Sequence, residues 1–190
     1  MLIIAVTGMP GSGKSSVARV LGEELGAPVL VMGDVVREEA ARRGLELTPA
    51  NLEIVARELR LEYGPGFVAD VIAERIKAMG VSIAVVDGVR SLSEIQSFSK
   101  LGRVCVVAVH SSPSVRLERV IARGRVGDAR SVEEFKLRDR SNIALGIGEA
   151  IALADYVIVN NSSLENLLEE ARRLAGEVKV ANKDCGRGRD

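Results

Sequence analysis

The stretch LIIAVTGMPGSGKSSVARVL, Leu2 to Leu21, decides how the rest of the chain is read. Its first part, Leu2 to Val6, is an unbroken apolar run, as expected of a strand buried on both faces of a parallel sheet. It is too short to span a bilayer. The next residues, GMPGSGKS from Gly8 to Ser15, satisfy G-x-x-x-x-G-K-[ST] in full, and Val17, Val20, Leu21 and Leu25 then recur at helical spacing. Strand, glycine loop and helix start in that order predict a phosphate-binding loop (P-loop). Glycines let backbone N–H groups turn inward onto phosphate oxygens, and the helix start adds its partial positive charge. Gly8, Met9, Pro10, Gly11, Ser12, Gly13, Lys14, Ser15 and Ser16 are therefore the expected ATP-binding residues. Lys14 would bridge the β- and γ-phosphates, and the Ser15 hydroxyl would hold Mg²⁺.

Beyond the loop, short β-branched runs alternate with helical stretches. The runs taken as strands are Leu2 to Val6, Val29 to Met32, Ile83 to Val86, Val104 to Val109 and Tyr156 to Val159. Helical spacing links Val68, Val71, Ile72, Ile76 and Met79, and again Leu164, Leu167, Leu168, Ala171 and Leu174. The predicted fold is α/β: an open five-stranded parallel sheet with helices on both faces. One domain over residues 1–175 is expected, with 176–190 a flexible tail. Two stretches exceed the minimal alternating unit: residues 34–64, an acceptor-binding segment, and the arginine-rich residues 116–147, a lid.

Charge narrows the function classes. Lysine plus arginine equals aspartate plus glutamate at 26 each, so no overall basic field draws the chain to nucleic acid or an anionic membrane. Aromatic residues make up only 3%, which leaves few platforms for stacking on bases, so nucleic acid is not an expected partner. Cys105 lies in the apolar run VCVVAV and Cys185 in a polar tail. That pattern predicts free thiols, no structural disulfide and a cytoplasmic location.

The run IAVVDG sets Asp87 at the carboxyl end of a buried strand, where ligands of open α/β sheets collect. A carboxylate there can hold a Mg²⁺-bound water opposite Ser15; its alternative role is to cap a helix starting near Ser91. Guanine-binding P-loop switches carry N-K-x-D, and Asn182-Lys183-Asp184-Cys185 brings the acid one position early, so a GTPase is not expected.

Four segments resemble a P-loop kinase. MGDVVR, Met32 to Arg37, is similar to the adenylate kinase segment in which an aspartate and an arginine face the acceptor. DGVR, Asp87 to Arg90, resembles the DG-x-x-R stretch whose acid serves the metal and whose arginine grips the acceptor phosphate. The arginines of RLERVIARGRVGDAR resemble the lid, and ADYVIVNNSSLENL, Ala154 to Leu167, resembles the last strand and helix of dephospho-CoA kinases. Up to about Ala175 the chain is most similar to an archaeal family related to adenylate kinase and dephospho-CoA kinase. It departs from the pattern at Met32, at the missing proline of DGVRS, and at Glu94, where a base-reading glutamine is expected.

The resemblance implies ATP-dependent phosphoryl transfer to a small nucleotide-like acceptor, first a nucleoside monophosphate, with dephospho-CoA the alternative. Lys14, Asp34, Arg90 and Arg123 would be catalytic. Asp34, Arg37, Arg90 and Glu94 would bind the acceptor. Arg119, Arg123, Arg125 and Arg130 would form the lid, Arg119 and Asn160 would contact ATP, with Asn160 equally able to form the turn before the last helix, and Ser15 and Asp87 would hold the metal. Arg138 or Arg140 could join the lid arginines in closing over the transferring group, though for both a solvated helix face is favoured. A reading of a different class is an ATPase or nucleotide sensor acting on a protein or RNA partner.

Overall fold

The computed structural model describes residues 1–124, 128–180 and 185. Five parallel strands run in the order β2-β3-β1-β4-β5: β1 (Leu2–Thr7), β2 (Val29–Val31), β3 (Ile83–Val89), β4 (Arg103–His110) and β5 (Tyr156–Val159). The register pairs Val6 with Asp87 on one side and with Val107 on the other. β1 is thus central, and the crevice beyond its carboxyl end, between β3 and β4, is the topological switch point where such sheets bind ligands.

Because successive strand side chains point to opposite faces, β1 serves two cores. Ile3 and Ala5 pack with Ala84, Val86, Val104 and Val106 under α2 (Met32–Arg42), α3 (Pro49–Tyr63), α4 (Phe67–Met79) and α5 (Leu92–Ser99). Leu2, Ile4 and Val6 pack with Val85, Cys105 and Val107 under α1 (Lys14–Leu25) and α9 (Leu164–Val180). Gly26 and Gly80 end α1 and α4 in the left-handed conformation. Residues 113–152 form α6 (Pro113–Arg123), α7 (Val132–Ala144) and α8 (Ile147–Ala152), with a small core of their own from Val120, Ala129 and Phe135.

Three expectations need correcting. Met32 opens α2 rather than closing β2, and β3 runs on to Val89, which puts Asp87 and Gly88 inside the strand. The last helix continues through Val180, past the expected start of a flexible tail, because Leu174, Ala175 and Val178 are buried against the α1 face. The cysteines are joined: Cys105 and Cys185 form a disulfide, with Cα atoms 5.2 Å apart, and both are buried. The apolar setting of Cys105 was legible; that the chain returns to it after α9 was not.

Candidate functional site

The P-loop joins β1 to α1. Gly13 takes φ 96° as the residue preceding α1, and a Cβ there would lie 2.5 Å from the Asn160 amide nitrogen and 2.8 Å from Leu167. Gly11, at φ 84°, would meet the Arg116 carbonyl at 2.8 Å. Glycine is needed at both places for the backbone conformation and for close packing. No side chain caps α1 and no acid occupies its first turn, so its leading N–H groups are available to an anion.

Ser15 Oγ donates to Asp87 Oδ2 at 2.6 Å, which brings together the two residues expected to serve a metal. Asp87 is buried, and its other oxygen, Oδ1, has no hydrogen-bond partner among the described residues. A hydroxyl and a carboxylate with an unpartnered oxygen make an all-oxygen donor set, the kind Mg²⁺ takes. Lys14 is pulled down to about 8, first by desolvation, with Asp87 opposing and Arg90, Arg138 and Arg123 reinforcing the shift. Three arginines, from β3–α5, α6 and α7, are therefore near enough to act on the charge of the ammonium. Arg90 is itself lowered, first by burial, then opposed by Glu94 and reinforced by Arg60 and Arg138. Such a collection of cations calls for a polyanion between them.

The other expected residues divide. Arg123 donates from Nε and Nη2 to Asp128 at 2.5 and 2.6 Å, and Arg138 approaches the same carboxylate at 3.6 Å. Arg138 is thus partly buried and paired, not the solvated face favoured for it; burial is the first cause of its lowered pKa. Asp34 and Arg37 lie at the start of α2 and pair with each other, each about half exposed. Arg130 is exposed, with its backbone N–H on Glu134, and Arg125 lies outside the described residues.

Two expected ligand readers are engaged inside the protein. The Glu94 side chain is 1% exposed; one carboxylate oxygen accepts from Arg60 at 3.0 Å and the other from the Arg90 backbone N–H at 2.7 Å. It braces the β3–α5 turn and has no surface for a base. Asn160 is buried too: its amide donates to the Ser12 carbonyl at 2.8 Å and accepts from Arg119 at 3.2 Å. It holds the P-loop against β5 instead of reading adenine. Arg119 also donates to the Asn160 and Ser162 carbonyls at 3.0 and 3.1 Å, so it is anchored to the turn after β5 and does not ride on a lid.

Two features escaped the sequence reading. Ser91 and Glu94, and again Ser131 and Glu134, are S-x-x-E pairs: in each the serine accepts from the glutamate N–H while the glutamate reaches back to the arginine before the serine. This capping-box pattern was visible in RSLSE and RSVEE. Arg116, buried at the start of α6, donates to the carbonyls of Pro10 and Ser111, both at 3.2 Å, and to Asp139 at 2.9 and 2.6 Å, with Phe135 beneath it. One guanidinium thus ties the P-loop to α7. No local pattern announced it.

A "UPF0200 protein" of Hyperthermus butylicus is 53% identical over 93% of this chain and 95% of its own. The chain belongs to the UPF0200 family. The AAA domain family also matches residues 7–136 of this UPF0200 chain. Among solved structures the UPF0200 chain is similar to a shikimate kinase from Acinetobacter baumannii in complex with shikimate, at TM-score 0.59 and 22% identity, over 96% of this chain and 94% of the other. A gluconokinase from Sinorhizobium meliloti gives TM-score 0.58 and 20% identity, over 93% of this chain and 95% of the other. At such identities the likeness is one of fold, that of the P-loop kinases. Among the described residues of this UPF0200 protein, no helix is long and apolar enough to cross a membrane.

Proposed function

We propose that this protein is an ATP- and Mg²⁺-dependent kinase that transfers the terminal phosphoryl group of ATP to a small anionic acceptor. The observation that carries this reading is the Ser15–Asp87 pair beside the glycine loop, with Arg90, Arg123 and Arg138 near enough to act on the charge of Lys14. Phosphoryl transfer asks for positioning and charge neutralisation more than covalent participation, and this set supplies both. The loop amides and Lys14 bind the donor phosphates. Ser15 and Asp87 hold Mg²⁺, which when bound offsets the charge on the phosphates. Arg90 faces the acceptor, with Asp34 and Arg37 at the neighbouring sheet edge. Arg123 and Arg138, oriented by Asp128, stand over the group in transit.

Neighbours named as shikimate kinase and gluconokinase lend support at the level of fold. The nucleoside monophosphate and dephospho-CoA expectations rest on the resemblance alone, and Glu94, which stands where a base-reading glutamine is expected, is buried.

The test is to incubate the protein with Mg-ATP, with and without a broad panel of acceptors, and to follow phosphorylated product against free phosphate. Acceptor-dependent product lost in both Lys14→Ala and Arg90→Ala is the expected result. Phosphate release that no acceptor alters and that survives Arg90→Ala would leave an ATPase.

A further inference from the structure

Arg90 also lines a cleft of about 350 Å³ between α3, the β3–α5 turn and the end of α7. Its polar wall is cationic and hydroxylic: Arg57 and Arg60 from α3, Arg90, and Ser91 and Ser93. Among the described residues Glu94 is the one acid on this wall, and it is already shared between Arg60 and a backbone N–H. Arg57 is exposed and has no hydrogen-bond or ion-pair partner among the described residues, and the Arg90 guanidinium has none either. One carboxylate against three guanidiniums leaves an excess of two positive charges facing the cleft.

A nucleoside monophosphate gripped at its phosphate by Arg90 would place a neutral sugar and a flat base in this space. Bases are held by stacking on aromatic faces and by amides reading their edges. Among the described residues no aromatic side chain and no asparagine or glutamine lines the cleft; its apolar surface is Leu61, Pro65 and the Ala144–Leu145 end of α7. Guanidiniums instead match carboxylate and phosphate oxygens in paired, charge-assisted hydrogen bonds.

We infer that the acceptor is a compact, base-free molecule carrying a carboxylate or phosphate that docks on Arg57 and Arg60, apart from the oxygen that receives the phosphoryl group. This deepens the kinase reading and rests on it for the word acceptor, but the anion site itself does not.

Binding and turnover are measured separately. Malate and glycerol 3-phosphate serve as base-free probes, one bearing carboxylates and the other a phosphate, and AMP and CMP as base-bearing ones. Each is titrated calorimetrically into the protein with Mg-ADP, in the wild type, Arg57→Ala and Arg57→Glu. The expected result is that at least one base-free probe binds more tightly than AMP and CMP, and that its affinity falls about tenfold in Arg57→Ala, the loss of one charge-assisted contact, and further in Arg57→Glu. Which probe wins separates carboxylate from phosphate. Tighter binding of AMP or CMP, or affinities indifferent to both substitutions, overturns the inference. Arg57-dependent binding of a base-free probe, without transfer from ATP to any acceptor, leaves the anion site standing and removes the kinase reading alone.

Discussion

Lys14 shows what a phosphate site costs the fold that carries it. Its ammonium titrates near 8 in the folded protein against 10.5 as its ordinary value. Between those values the unfolded chain holds more of this proton, so Lys14 makes the free protein gain stability as pH rises from about 8 to 10.5; below 8 the full penalty stands. Lys14→Met removes the penalty. At pH 7 it is expected to stabilise the ligand-free protein by about 1 kcal/mol, discounted for solvent reaching the cleft, or about 2–4 °C in melting midpoint, while abolishing ATP binding. Binding of ATP favours the charged lysine, so ATP affinity is expected to fall as pH rises above about 8, and calorimetry at pH 7 and 9 reads the difference. The residues of this loop were legible because the motif is contiguous and each type has one job. Glu94 and Asn160 were misread because their type fits both a ligand and a buried brace, and only their partners, Arg60 and the Ser12 carbonyl, decide.

Among the elements, the strands and the helices α1, α4 and α9 could be read because apolar periodicity is a local property. The β2–α2 junction could not, since Met32 is apolar and suits a strand or a buried helix start equally. Arg116 marks the sharper limit: its charge looked like lid surface, and its partner Asp139 is 23 residues away. The pair is nearly buried, at 4% and 15% side-chain exposure. Removing one partner leaves an uncompensated charge, so Arg116→Met is expected to cost about 3–5 kcal/mol in urea unfolding. The double variant Arg116→Met/Asp139→Leu should recover most of that loss, because two apolar groups of similar size need no counter-charge. It should not restore ATP turnover, since the tie between the Pro10 carbonyl and α7 is gone.

Across the whole molecule, the sheet order puts the P-loop at the switch point and the arginines of three separate segments around it, a convergence that follows from topology and not from spacing. The covalent link is the other long-range feature. Cys105 and Cys185 are 80 residues apart, and closing a loop of that length restricts the unfolded chain by about 4 kcal/mol in the chain-entropy account. Reduction with dithiothreitol is therefore expected to lower the urea midpoint markedly, and Cys185→Ser to abolish that sensitivity. The same bond makes residues 105–185 a closed ring that contains the end of β4, all of α6 to α9 and β5. A protease that cuts one peptide bond inside the ring only linearises it. The two pieces stay one molecule, migrate together without reductant, and come apart only when the sulfur bridge is opened.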